Sequence, residues 1–303
     1  MRNSFAETLS NLAAEDKSLI LLTGDLGYSV LERFQRDFPQ QFFNLGIAEQ
    51  SMMSIAAGLA QDGKRPFVYS IANFPTLRCL EQIRNDICVM NAPATIVSVG
   101  SGFSYGSAGY SHYLVEDLSA LLALQIDIYS PACPSEVSKS LKKIISKKNP
   151  AYLRIGRGGE VNLDSVDGFR SGISELFADS KTEFVVFYHG SIASEVIRAL
   201  DKLKNIGRFG VAYSCFDFSE ISGIHRKIDP KLPIITVEEH VLTGGFGSFI
   251  RNCLPNSRKI LNIGIKKIEY SLVGSQEFLR ESYRLDAESL FKSVNNFLDK
   301  YDD

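Results

Sequence analysis

Short apolar runs alternate with helix-patterned segments along almost the whole 303-residue chain, and this alternation limits the folds open to it. Ser18–Thr23, Arg65–Ile71, Ala94–Val99, Ile126–Ser130 and Ala151–Arg157 read as strands. They are short and almost continuously apolar, as strands buried on both faces are. Between them, Phe5, Leu9, Leu12 and Ala13 fall at helical spacing over residues 4–15, and further helices are predicted over 31–38, 51–60, 77–90, 116–124 and 134–146. A second series contains strands Phe184–Tyr188, Phe209–Tyr213 and Leu232–His240, a helix over 193–203, and a Gly-rich turn, Thr243–Ser248, opening another. Such alternation implies α/β architecture, with mainly parallel sheets flanked by helices. Residues 158–182 are richer in Gly, Ser and Asp. We therefore expect two domains, over residues 1–165 and 183–303, joined by a linker over 166–182. No sequence repeat relates them.

The totals exclude several functions. A net charge of −2 gives no electrostatic argument for nucleic acid or an anionic membrane. No apolar run approaches the ~18 residues of a membrane span, and Met1–Glu7 has no signal-peptide core. Cys79, Cys88, Cys133, Cys215 and Cys253 are scattered and odd in number, without a CxxC. That spacing suggests a reducing, cytoplasmic setting rather than disulfides or zinc. The four histidines are too dispersed for a metal cluster.

In a parallel sheet, ligands gather at the carboxyl ends of strands. Three loops fall there: Gly24–Ser29, Asn44–Gln50 and Gly100–His112. They offer Asp25, Glu49 and His112. The middle loop opens a helix of small residues, Ser51–Ala60, suited to close packing. A carboxyl at the head of such a segment is costly to bury unless something bonds to it. Two readings stand for Glu49: an acid complementing the helix dipole, or a working carboxyl. Ser104 and Ser107 share a loop with His112, but no Gly-x-Ser-x-Gly elbow supports a hydrolase. No Gly-rich piece matches a dinucleotide fingerprint or a P-loop.

Asn-Leu-Gly-Ile-Ala-Glu-Gln over 44–50, the Ser111-His112 loop end, and Val-Glu-Glu-His followed by Gly-Gly-Phe-Gly-Ser over 237–248 together resemble the thiamine-diphosphate enzymes of the transketolase group. The likeness is to the carboxyl-terminal subunit of a split, two-chain transketolase. It extends from Phe5 to about Asp286. It implies a pyrimidine-binding domain followed by a transketolase-type carboxyl-terminal domain. It places Glu49 on the glutamate that bonds N1′ of the aminopyrimidine and drives its tautomerisation by acid–base catalysis. Burial would raise the pKa of such a carboxyl, and a helix N-terminus would lower it. Phe74 falls near the aromatic that stacks on the pyrimidine, although a core phenylalanine reads equally well. Arg78 is a nearby cation with no assigned role. His112 matches a histidine facing the reacting ketose; the alternative is a loop histidine bonded to backbone. Asp25 and Ser29 match a turn serving the cofactor's surroundings and the substrate, respectively. Arg157 matches an arginine that grips substrate phosphate; the alternative is a surface ion pair.

Three departures from the family pattern matter. Ala108 stands where transketolases carry an Asp, and Gly100 where they carry a substrate-contacting His. This suggests a different or bulkier ketose or acceptor, such as a nucleotide-linked keto-sugar. The chain also has no Gly-Asp-Gly motif for Mg²⁺ and the diphosphate. A partner, the amino-terminal subunit, must then supply that half, and an α₂β₂ assembly follows by resemblance. The reaction implied is transfer of a two-carbon ketol unit from a ketose to an aldehyde or keto-sugar. Two alternatives remain: the β subunit of a 2-oxoacid dehydrogenase decarboxylase component, or a non-catalytic scaffold of the same fold.

Overall fold

The computed structural model describes residues 1–302 except 161, 165, 167, 168 and 174–180. The linker expected over 166–182 lies in part outside the described residues. Among the described residues, ten strands form two sheets. The first contains β1 (Leu19–Thr23), β2 (Phe42–Asn44), β3 (Arg65–Ile71), β4 (Thr95–Val99), β5 (Asp127–Tyr129) and β6 (Ala151–Ile155), in the order β2-β1-β3-β4-β6-β5. The second contains β7 (Phe184–Tyr188), β8 (Gly210–Ser214), β9 (Ile234–Val241) and β10 (Ile260–Ile265), in the order β10-β9-β7-β8. Every strand pairing within the two sheets is parallel.

The central strands are buried along their length, which is why they read as unbroken apolar runs. Two strands depart furthest from that signature. β2 is three residues long and lies on an edge, and β10 is only partly buried. The region expected as one helix over 77–90 is composite. A 3₁₀ turn (Leu77–Cys79) and one α-turn (Leu80–Gln82) run into a π-helical stretch (Ile83–Val89). Such wide turns recur at functional sites. The two sheets share a core. Leu118, Leu121 and Tyr152 of the first unit belong to the same apolar cluster as Val185, Phe187 and Phe246 of the second.

Because all six strands of the first sheet are parallel, the segments after β1, β2, β3, β4 and β6 leave along a single edge. That edge carries Asp25, Glu49, Phe74, Gly100–His112 and Arg157.

Candidate active site

Glu49 begins the Glu49–Gln61 helix and is buried, with 2 % exposure. Asn44 fixes its approach. The Asn44 Oδ1 accepts from Asp25 N–H (2.9 Å) and Gly46 N–H (3.0 Å), tying two loops together. A Cβ on Gly24 would press on this arrangement, 3.2 Å from the Gly46 carbonyl and 3.6 Å from Glu49 Oε1. One oxygen of Glu49 lies 3.4 Å from the Ser70 hydroxyl. The other accepts from Arg78 Nη1 at 2.8 Å. Arg78 is 43 % exposed in its side chain. Its guanidinium also covers Phe74, 4.3 Å from the ring centre, a cation–π contact. Arg78, which sequence reasoning left without a role, is thus the charge partner of the buried carboxyl. Only the fold reveals the pairing, which spans 29 residues of chain.

From Phe74 the site continues as a line of rings. The His112 imidazole meets the Phe74 ring edge-on at 5.3 Å, and Tyr105 lies 6.5 Å beyond His112. Arg157 sits over Tyr105 at 5.1 Å. His112 Nδ1 lies 2.9 Å from the Ser111 hydroxyl. Tyr105 fills the space beside Gly100, where a Cβ would fall 2.1 Å from its ring. Burial raises the Tyr105 phenol pKa, while Arg2 and Arg157 pull it back.

Arg2 is a residue that sequence reasoning missed. It joins Arg157, Asn3, Ser4, Ser138 and Asn162 around a cavity of about 690 Å³ that Glu7 and Glu160 also line, Glu160 being paired with the Met1 amino group, within the usual range for small-molecule sites. Neither arginine has a carboxylate partner among the described residues, and Arg2 Nε is buried without an acceptor. Two unpaired guanidiniums in a cavity form a ready anion clamp. No local motif announces Arg2, because 155 residues separate it from Arg157.

The predicted residues do not all converge. Ser29 lines a neighbouring cavity of about 380 Å³ that shares Asn3 and Glu7 with the larger one; both lie in the size range of ligand sites. Asp25 is exposed, and its carboxylate accepts from Tyr28 (3.1 Å) and Asn44 (3.2 Å). Among the described residues, no group of three His, Cys, Asp or Glu could hold a metal ion. No helix among the described residues is long and apolar enough to cross a membrane.

A family model described as the transketolase pyrimidine-binding domain matches residues 1–159. The chain is 29 % identical over 304 residues to the putative transketolase C-terminal section of Methanocaldococcus jannaschii, covering 97 % of this chain and 95 % of that one. It is 30 % identical over 309 residues to one of the subunits of the apulose-4-phosphate transketolase of Phocaeicola vulgatus, covering 99 % and 97 %. It is 29 % identical over 298 residues to a 1-deoxy-D-xylulose-5-phosphate synthase of Clostridium kluyveri, covering 96 % of this chain but only 47 % of that longer protein. Among solved structures, a split gene transketolase described as an inactive beta4 tetramer superposes with a TM-score of 0.80 at 26 % identity, over 98 % of this chain and 97 % of that one. The transketolase of Campylobacter jejuni shares the fold, with a TM-score of 0.80 at 17 % identity, over 97 % of this chain and 46 % of its own length.

Proposed function

This chain belongs to the transketolase family, and on that premise we propose that it is the β subunit of a two-chain transketolase transferring a two-carbon ketol unit between phosphorylated sugars. The observation that carries this reading is Glu49, a buried carboxyl at a strand-end edge, linked through Arg78 to the flat face of Phe74.

The residues fit the aminopyrimidine half of thiamine diphosphate. Glu49 offers a carboxyl oxygen, Phe74 an aromatic face, and Gly24 a bare backbone beside Glu49. When bound, the cofactor supplies the carbon that takes up the two-carbon unit. Glu49 holds the proton shared with the ring nitrogen. Arg78 now occupies both contacts, so a ring seated on that oxygen and that face displaces it. His112 then hydrogen-bonds the sugar hydroxyls and moves a proton at the reacting end. Arg2 and Arg157 bind the sugar phosphate, and Ser29 serves the same substrate from the adjoining cavity. Relatives whose names specify phosphorylated sugars support an anion at that end. Asp25, on an exposed turn tied to Asn44, faces the cofactor's surroundings. The space that Tyr105 takes over Gly100 supports a sugar specificity unlike that of ordinary transketolases.

An amino-terminal partner supplies the diphosphate and Mg²⁺ site in an α₂β₂ assembly. Its support is the named C-terminal section among the relatives and the motif missing here. We divide the chain into a pyrimidine-binding domain (residues 1–165), a linker (166–182) and a transketolase-type carboxyl-terminal domain (183–303). The free cysteines suit the cytoplasm.

The test is thiamine diphosphate and Mg²⁺ binding by this chain, alone and mixed with a co-encoded partner. Ketose and 2-oxo-acid donors are then compared. Binding and ketol transfer only in the mixture, lost about 100-fold or more in Glu49→Gln, support the proposal. A preference for 2-oxo acids favours a dehydrogenase component. A deoxy-ketose phosphate product favours a synthase activity like that named for the Clostridium kluyveri relative. No binding in any mixture leaves a scaffold.

A further inference from the structure

The loop that bears His112 is held by the second sheet and the segment after it. Its neck closes where Gly102 and Leu114 exchange backbone hydrogen bonds (3.0 Å each). Beside that neck lies Glu239 of β9, 2 % exposed. Its Oε1 accepts from Phe103 N–H (2.6 Å) and Gln276 Nε2 (2.8 Å), and its Oε2 accepts from Arg280 Nε (2.5 Å). Arg280 is anchored in turn on the Ser191 carbonyl at 2.9 Å. Gly102 leaves room for this arrangement. With φ of +62°, a Cβ there would fall 2.2 Å from Glu239 Oε1, in a backbone region that glycine adopts without strain.

The body of the loop is gripped by a second surface. Phe103 stacks on Tyr283 at 5.1 Å and 11°. Tyr110 meets Tyr270 edge-on at 4.5 Å, and the Tyr113 hydroxyl donates to the Leu272 carbonyl. A Cβ at Gly106 would strike the Gly274 carbonyl at 2.6 Å. These contacts hold the neck and the flank. Ser111 remains exposed and His112 only partly buried at the tip. A charge-assisted bond to a backbone N–H is among the stronger ways to fix a loop.

We propose that Glu239 is a positioning residue, which sets the geometry of the His112 loop through the Phe103 N–H and so ties the second sheet to chemistry at the edge of the first. The inference rests on the transketolase reading for its kinetic consequence, but not for its structural one. Two variants test it. Glu239→Gln keeps an acceptor for Phe103 and loses the ion pair with Arg280. Tyr283→Leu changes a partly exposed ring and leaves Glu239 intact. Amide hydrogen exchange over residues 101–113 is read on the full chain. Ketol-transfer kinetics and thiamine-diphosphate binding are read on the mixed complex.

Both variants are expected to exchange at least tenfold faster in the loop, with the strands of the first sheet unchanged. Cofactor affinity should hold, kcat should fall at least tenfold, and KM for the donor should move less than threefold. Unchanged loop exchange in Glu239→Gln overturns the proposal, whatever Tyr283→Leu does. So does a loosened loop with unchanged kcat in an active complex. If the wild-type complex shows no ketol transfer, the functional reading fails, while the exchange result still decides the positioning.

Discussion

Glu49 and Glu239 are equally buried, each 2 % exposed near the carboxyl end of a parallel sheet, yet their surroundings differ. Glu239 has three donors on its two oxygens, and its cation, Arg280, is itself buried. Glu49 relies on one firm bond from a half-exposed arginine, beside a marginal serine contact. The rest of each edge follows suit. Around Glu239, Glu238 accepts from the Phe246 and Gly247 N–H groups (2.7 and 2.9 Å), and His240 Nε2 accepts from Leu118 N–H (3.1 Å). The edge that carries Glu49 instead leaves Tyr28, Phe43 and Ile47 exposed, and farther along it Arg157 lines an open cavity. A buried carboxylate with every oxygen bonded belongs to the architecture. One held by a single movable cation is poised to exchange that partner.

Truncation should separate the two most sharply. Glu239→Ala leaves Arg280 with only the longer Glu195 contact (3.6 Å) and the Ser191 carbonyl, and unpairs two further donors, and breaking such a buried pair costs about 3 kcal/mol. Glu49→Ala releases Arg78 to water and should cost about 1 kcal/mol. Chemical denaturation of both variants measures this. Equal losses would abolish the distinction.

The pH dependence of stability should come from the closed edge and the joint beside it. Burial pushes Glu238 up to about 8 and Glu136 up to about 7. It lowers His240 to about 4 and depresses His189 well below its usual value. The folded acids hold protons that unfolded ones release, so their contribution declines as pH rises. The folded histidines bind fewer protons, so theirs grows. The two effects oppose each other up to the ordinary histidine range. Above pH ~6.5 only the acids still titrate, and stability should fall by about 2 kcal/mol by pH ~8. Glu238→Gln should remove most of that decline. A decline that survives it would place the titration elsewhere.

At the open edge, Arg157→Ala should raise KM about tenfold for a phosphorylated donor, a loss of about 1.4 kcal/mol. An unphosphorylated donor should show no such change, and equal effects on both would refute the anion clamp. Smallest of all, Arg78→Ala should lower the melting temperature of the free chain slightly. It should also tighten thiamine-diphosphate binding by the mixed complex about threefold, because the ring no longer competes with a guanidinium. Weaker binding would mean that Arg78 stays with Glu49 in the loaded complex.

Much of this architecture was legible in the chain. β1, β3, β4 and β6 could be read because parallel strands buried on both faces are spelled almost wholly in apolar residues. β2 was missed because three residues on an edge carry no such spelling, and β10 because its burial is partial. The π-helical stretch looked like ordinary helix, since its wider turn leaves the short-range apolar pattern intact. Glu49 and His112 could be found by resemblance. The pairing of Arg78 with Glu49, the approach of Arg2 to Arg157 and the grip of Glu239 on Phe103 could not. Each joins positions between 29 and 155 residues apart, and local spacing records nothing of them.

The loop from Gly100 to His112 also indicates where this protein can be re-engineered. Tyr105, Glu239 and Leu279 already fill the space beside Gly100, Gly102 and Gly106, so a side chain at any of the three collides with a fixed neighbour. Ser107, Ala108 and Ser111 are exposed and press on nothing comparable. A mutant library confined to those three positions should vary sugar preference while the scaffold tolerates each change, whereas one spread over the glycines should return mostly misfolded protein.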